Sequence, residues 1–197
     1  MKPVALDAFE ALTTAAAGFE RRLRAVSSDQ WELPTPCDEW DVRALVNHVV
    51  GANVRYTMLL RGATAAAVDA TRSIDHVRED AVAAFLGTTV EMTAAFRQPG
   101  ALRRAAHHPV GDRSGAELLA MRVLDVAVHT WDLARAVGAD DVLDPDVVRF
   151  VQANVSDVEP SRKRGSFAAP VEEAASGGSP QDRLLRQLGR RPTEEEK

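Results

Sequence analysis

The chain has 197 residues, of which 45% are hydrophobic and 27% charged, an ordinary globular mixture long enough to bury a full core in one domain. A net charge of −5 and an aromatic content of 5% exclude the basic face of a nucleic-acid or membrane-surface binder and a base-stacking platform. The single cysteine, Cys37, excludes an internal disulfide, and with no basic leader and no run of about 18 apolar residues a cytoplasmic protein without a membrane span is expected.

Residues 4–26 place Leu6, Phe9, Leu12, Ala16, Phe19, Leu23 and Val26 three and four apart, which predicts an amphipathic helix with Glu20, Arg21 and Arg24 outside. Pro34 and Pro36 then forbid a helix across QWELPTPCDEW (30–40) and favour an extended or turning path. Cys37 or Asp38 is the expected N-cap of the next helix, with Asp41 in its first turn. That second helix is expected over 39–61, with Leu45, Val49, Ala52, Tyr56 and Leu59 along its stripe and His48 at the stripe's edge. Residues 63–73 read as a loop with room for one helical turn. A third helix is expected over 74–97 on Val77, Ala81, Phe85, Met92 and Phe96, weakened at Gly87 by about 1 kcal/mol relative to alanine. Pro99-Gly100 and the Pro109–Gly111 stretch break 98–114, leaving a short strand or turn within 101–108.

The longest predicted helix is AELLAMRVLDVAVHTWDLARAVG (116–138). Ser114 as N-cap with Glu117 makes a capping box, and Gly138 is its stop. Wound at about 100° per residue, it is apolar almost all round. Leu119, Val123, Val126, Ala127, Leu133 and Val137 lie on one side, and Met121, Leu124, Val128 and Trp131 on the other. Between them runs a thin polar wedge of Arg122, Asp125, His129 and Asp132. Asp144-Pro145 opens a short helix, 156–180 reads as a surface-wrapping stretch, and Gln181 to Leu188 is a last short helix ended by Gly189. The closing RRPTEEEK reads as disordered. Four long helices and no convincing strands point to an all-α four-helix bundle with short extra C-terminal helices, placed over 1–192 as a single domain with 193–197 as tail.

Asp125 and His129 are four apart, so their side chains meet on the wedge. With His48 they would form a two-histidine, one-carboxylate set that leaves a coordination position open, as catalytic sites do. The alternative is an ordinary Asp125–His129 ion pair with His48 a boundary histidine at the stripe's edge. His107 or His108 is a rival ligand source, and His76 is expected to be solvated. Arg122 and Asp132 would support the ligands from behind, or form a solvated stripe or an intrahelical pair. Cys37 is either a nucleophile at a helix N-terminus or a small buried filler, and Trp40 and Trp131 read as packing anchors.

The stretches TPCDEWDVRALVNHVVGANVRYTMLLRG (35–62), RVLDVAVHTWDLARAVG (122–138) and DRLLRQLGRRP (182–192) resemble the metal-binding N-terminal domain of mycothiol-dependent maleylpyruvate isomerases. More closely, they resemble the smaller actinobacterial proteins of that kind within the DinB/YfiT-like superfamily. The resemblance implies a bundle holding a divalent metal through His48, Asp125 and His129. Zinc is the first choice, with nickel, iron or manganese as alternatives. It also implies a metal-dependent enzyme that transfers or conjugates a low-molecular-weight thiol such as mycothiol, with a small electrophile as the other partner. A non-catalytic sensing module, or one that forms a homodimer through helix faces, is the competing reading. Those isomerases carry glutamate where this chain has Asp125, one methylene shorter, and a further C-terminal domain that this chain is expected to lack.

Overall fold

The computed structural model describes residues 6–38, 40–155, 169–171 and 178–192. The calls on Val4 and Ala5, on most of 156–180 and on 193–197 therefore lie outside the described residues. Four helices make the frame: α1 (Ala8–Ala25), α2 (Val42–Leu60), α4 (Ala81–Phe96) and α5 (Gly115–Val137), with the five-residue α3 (Ala65–Asp69) between α2 and α4. Packing runs α1 on α5, α5 on α2, α2 on α4 and α4 on α1, closing a four-sided all-α bundle. Its core is filled by Leu12, Phe19, Leu45, Val49, Phe85, Met92, Leu119, Val123 and Val126, the apolar stripes read from the sequence. Two short helices, α6 (Pro145–Asn154) and α7 (Pro180–Gln187), add to one flank, α6 against α1 and α5 and α7 against α6. No helix among the described residues is long and apolar enough to cross a membrane.

Local chemistry sets the helix ends. Asp7 and Glu10 form a capping box at α1, and Ser114 and Glu117 form the expected one at α5. Gly138 ends α5 in the left-handed conformation at φ 67°, which glycine adopts without a Cβ penalty. Asp41, not Cys37 or Asp38, caps α2, accepting from the Ala44 N–H. The cause is a tight turn: the Trp40 N–H bonds the Cys37 carbonyl at 2.8 Å and the Thr35 N–H bonds the Trp40 carbonyl at 3.1 Å. These bonds hold Cys37 and Trp40 out of the helix. The third long helix begins at Ala81 rather than near 74, because Asp75 takes the Val77 and Arg78 N–H groups into a local turn and Asp80 caps the helix later. The 98–114 connection contains both the turn and the strand allowed for it. A 3₁₀ turn spans Ala101–Arg103, and β1 (Ala105–Ala106) pairs antiparallel with β2 (Arg113–Ser114). Gly115 lets α5 start directly against that turn, since a Cβ there would fall 2.2 Å from the Ala101 carbonyl oxygen.

Candidate metal centre

The polar wedge of α5 faces α2 inside the bundle. Arg122 and Asp132 have no solvent exposure and His129 is 2% exposed, so the wedge is an interior polar seam and not a solvated stripe. Asp125 projects one oxygen, Oδ1, toward two imidazoles: His48 Nε2 at 3.4 Å and His129 Nε2 at 3.5 Å. All three donor atoms lie within 4.8 Å of one another. The other Asp125 oxygen, Oδ2, receives the Arg122 guanidinium. Arg122 is itself fixed by Asn53 Oδ1 and by the Val49 carbonyl at 2.8 Å, two α2 groups that lock the helices in register.

Distances of 3.4 and 3.5 Å are long for hydrogen bonds, whose usual N···O separation is about 2.9 Å. They match the spacing of two ligands that share a tetrahedral ion, since bonds of about 2.0–2.1 Å across a tetrahedral angle place donors about 3.3–3.4 Å apart. Behind His129, its Nδ1 lies 2.9 Å from Asp132 Oδ2. A carboxylate on the far ring nitrogen fixes the tautomer that leaves Nε2 for an ion. The donor set and its backing therefore fit a divalent cation.

A second donor group, Cys37, His129 and Asp132, lies next to the first. Its cation position is already taken by a guanidinium. Arg190 donates through Nε to Asp132 Oδ1 at 2.9 Å and through Nη2 to Asp132 Oδ2 at 2.8 Å, and Nη2 is 3.1 Å from Cys37 Sγ. This group supports the first set from behind. Arg190 belongs to the RRPTEEEK segment read as disordered, yet it is only 6% exposed. The turn after α7 carries it inward, with its own N–H bonded to the Leu185 carbonyl. Cys37 is half-buried and sits in this cluster.

Electrostatics sharpen the division of labour. Burial pushes the His48 imidazole down to about 4 despite Asp125 beside it, so it stays neutral at physiological pH. Burial also opposes charge on His129, but hydrogen bonds to Asp125, Asp132 and Cys37 outweigh it and hold that imidazole well above its usual value. Burial would raise both carboxyls. The imidazoles and Arg122 instead keep Asp125 well below the usual range, and Arg190 with His129 brings Asp132 down to about 2.

Trp40 lies over both imidazoles, with ring centroids 4.5 Å from His48 and 5.7 Å from His129. It shields the set as well as packing the loop before α2. His107 is exposed and paired with Asp112 at 3.0 Å, and His108 lies beside Tyr56, 6.2 Å between centroids. Neither joins the donor set. His76 is half-buried rather than solvated, its backbone N–H bonded to Asn47 Oδ1 at 2.6 Å and its ring set against Gly51. A hollow of about 270 Å³ lies on the other side of α5, between Thr14, Gly18, Arg22, Thr130 and Val147, away from the histidines.

A profile of the mycothiol maleylpyruvate isomerase N-terminal domain matches residues 12–134, the span that contains all three donors. The chain belongs to that family. Two Mycobacterium tuberculosis relatives, the uncharacterized proteins MT0763 (strain CDC 1551 / Oshkosh) and Rv0738 (strain H37Rv), are each 30% identical over 187 residues. The match covers 94% of this chain and 98% of theirs. Among solved structures, the mycothiol-dependent maleylpyruvate isomerase superposes with a TM-score of 0.60 at 17% identity, over 80% of this chain and 72% of that one. A histidine-to-alanine mutant of the isomerase gives 0.61 at 16% identity, over 84% and 74%. At that identity the likeness is one of fold.

Proposed function

We propose that His48, Asp125 and His129 hold one divalent cation, zinc in the first instance, and that the protein uses it to transfer or conjugate a small thiol of the mycothiol kind. The observation that carries this reading is the convergence of two Nε2 atoms on one carboxylate oxygen at 3.4 and 3.5 Å, with Asp132 backing His129. Membership of the mycothiol isomerase N-terminal family and the name of the solved structure with the same fold support the thiol. A cation in this three-ligand set would supply Lewis acidity, lowering the pKa of a thiol in its open position.

The chain's own residues do the rest. Asp132 and Arg190 hold the His129 ring so that Nε2 points at the set. Arg122 neutralises the Asp125 oxygen that faces away from the imidazoles, leaving Oδ1 for the cation. Trp40 screens the imidazoles from water, which strengthens every charge interaction beneath it. A neutral His48 can take an ion without first losing a proton.

The test is thiol consumption by the zinc-loaded protein in the presence of small electrophiles, against His129→Ala prepared in the same way. A rate that depends on His129 is expected. Equal rates in the two proteins would refute thiol chemistry at this set.

A further inference from the structure

Four arginines are buried among the described residues: Arg22, Arg55, Arg122 and Arg190. A buried guanidinium is normally paired, and three of them are well supplied. Arg22 donates to the carbonyls of Gly18, Asp140 and Val142, Arg122 serves Asp125 and Asn53, and Arg190 grips Asp132 with two bonds. Arg55 is different. It is 7% exposed, and its one hydrogen bond among the described residues runs from Nη2 to the His48 carbonyl at 3.1 Å. No carboxylate among the described residues lies within ion-pair distance of it. The carboxylate whose field it feels is Asp125, whose oxygens already serve Arg122, His48 and His129.

The fold makes room for this cation. Gly51 stands inside α2, where glycine costs about 1 kcal/mol relative to alanine. A Cβ at that position would fall 2.7 Å from Arg55 Nη1 and 2.6 Å from His76 Cδ2. The missing side chain is the space in which the guanidinium and the imidazole sit. Arg55 lies seven residues beyond His48, two turns along the same face of α2. His48 of the donor set and a buried guanidinium with no carboxylate partner among the described residues therefore share one strip of α2.

We infer that Arg55, seated over Gly51, is an anion subsite that anchors a carboxylate of the small molecule handled at the neighbouring His48/Asp125/His129 set. A guanidinium with spare N–H groups takes a carboxylate as its counter-ion, as Arg190 does with Asp132 in the same protein. This rests on the proposed function, and what it adds is the residue: Arg55 becomes a specificity-determining residue that selects carboxylate-bearing ligands.

Succinate and its uncharged diamide, succinamide, are suitable probes, titrated calorimetrically into the chelator-treated protein and again into the zinc-loaded protein. Succinate is expected to bind the metal-free protein and succinamide not to. Arg55→Gln should weaken succinate by about tenfold or more, while Arg55→Lys keeps part of the affinity. Gly51→Ala, which displaces the guanidinium without removing its charge, should weaken it as well, and it decides the matter should Arg55→Gln fail to fold. Succinate that does not bind without zinc, or that binds Arg55→Gln or Gly51→Ala as it binds wild type, overturns the inference. Binding that needs zinc and ignores Arg55 would place the carboxylate on the ion, leaving the metal reading intact while removing this subsite.

Discussion

Replacing Asp132 with asparagine takes one charge out of the middle of α5 and should be felt in two ways. The side chain has no solvent exposure, and it accepts from Arg190 through both oxygens and faces His129 Nδ1 at 2.9 Å. Its pKa, brought from 3.8 to about 2 against the opposing effect of burial, corresponds to roughly 2.5 kcal/mol of charge-dependent stability. Removing one partner of a buried pair typically costs about 3–5 kcal/mol. Asparagine keeps one acceptor oxygen, so a loss of about 2–4 kcal/mol is expected, or a fall in Tm of about 5–15 °C for a chain of this size. The pH dependence has a definite sign. A depressed carboxyl stabilises the fold above its unfolded pKa of about 3.9, and the contribution is lost as pH falls through about 2. Urea denaturation of the metal-free proteins should therefore show the full gap at pH 5–7, closing between about pH 4 and 2. The same variant should bind zinc about 10–100-fold more weakly, because His129 loses the group that fixes its tautomer. A gap below about 0.5 kcal/mol at pH 7, within the range of an ordinary surface substitution, would refute the buried-pair reasoning, as would a gap that ignores pH.

Two further outcomes follow from the same geometry. In the metal-free protein His129 is held protonated at pH 7 while His48 is neutral, so zinc binding should release about one proton and tighten as pH rises toward the His129 pKa. Calorimetry in two buffers of different ionisation enthalpy measures this, and release near zero would contradict the assignment. Gly115→Ala should destabilise the fold by about 1–3 kcal/mol, because its Cβ would meet the Ala101 carbonyl at 2.2 Å; denaturant midpoints matching wild type would show that the 3₁₀ turn yields freely.

The bundle was legible because helix formation here is local and periodic. Stripes such as Leu12, Phe19 and Leu23 in α1 bury themselves as spaced, and the Ser114–Glu117 box and Gly138 bound α5 as read. His48, Asp125 and His129 could be placed together because two of them share a turn and the third stands out at a stripe edge. Arg190 could not be placed, since its burial depends on α7 docking against α6 and the chain turning inward afterward, contacts between residues far apart in sequence. The available signal was Asp132 itself, an acid in an apolar helix that needs a cation from elsewhere. Arg55 was hidden for a related reason: on a helix wheel it is one more polar residue, and its meaning comes from Gly51 and His76 closing around it. The start of α2 went astray because the side-chain rules for N-caps fit Asp38 and Asp41 alike, while the Thr35–Trp40 backbone turn made the choice.

Everything proposed for this site depends on a cation between α2 and α5. The direct measurement is elemental analysis of protein purified without a histidine tag, wild type beside His129→Ala, each dialysed and then titrated with zinc. The account predicts about one divalent ion per chain in the wild type and a loss of that ion in His129→Ala. A wild type that neither carries nor takes up an ion, or a variant that holds it equally well, would mean that His48, Asp125 and His129 form a hydrogen-bonded seam and nothing more.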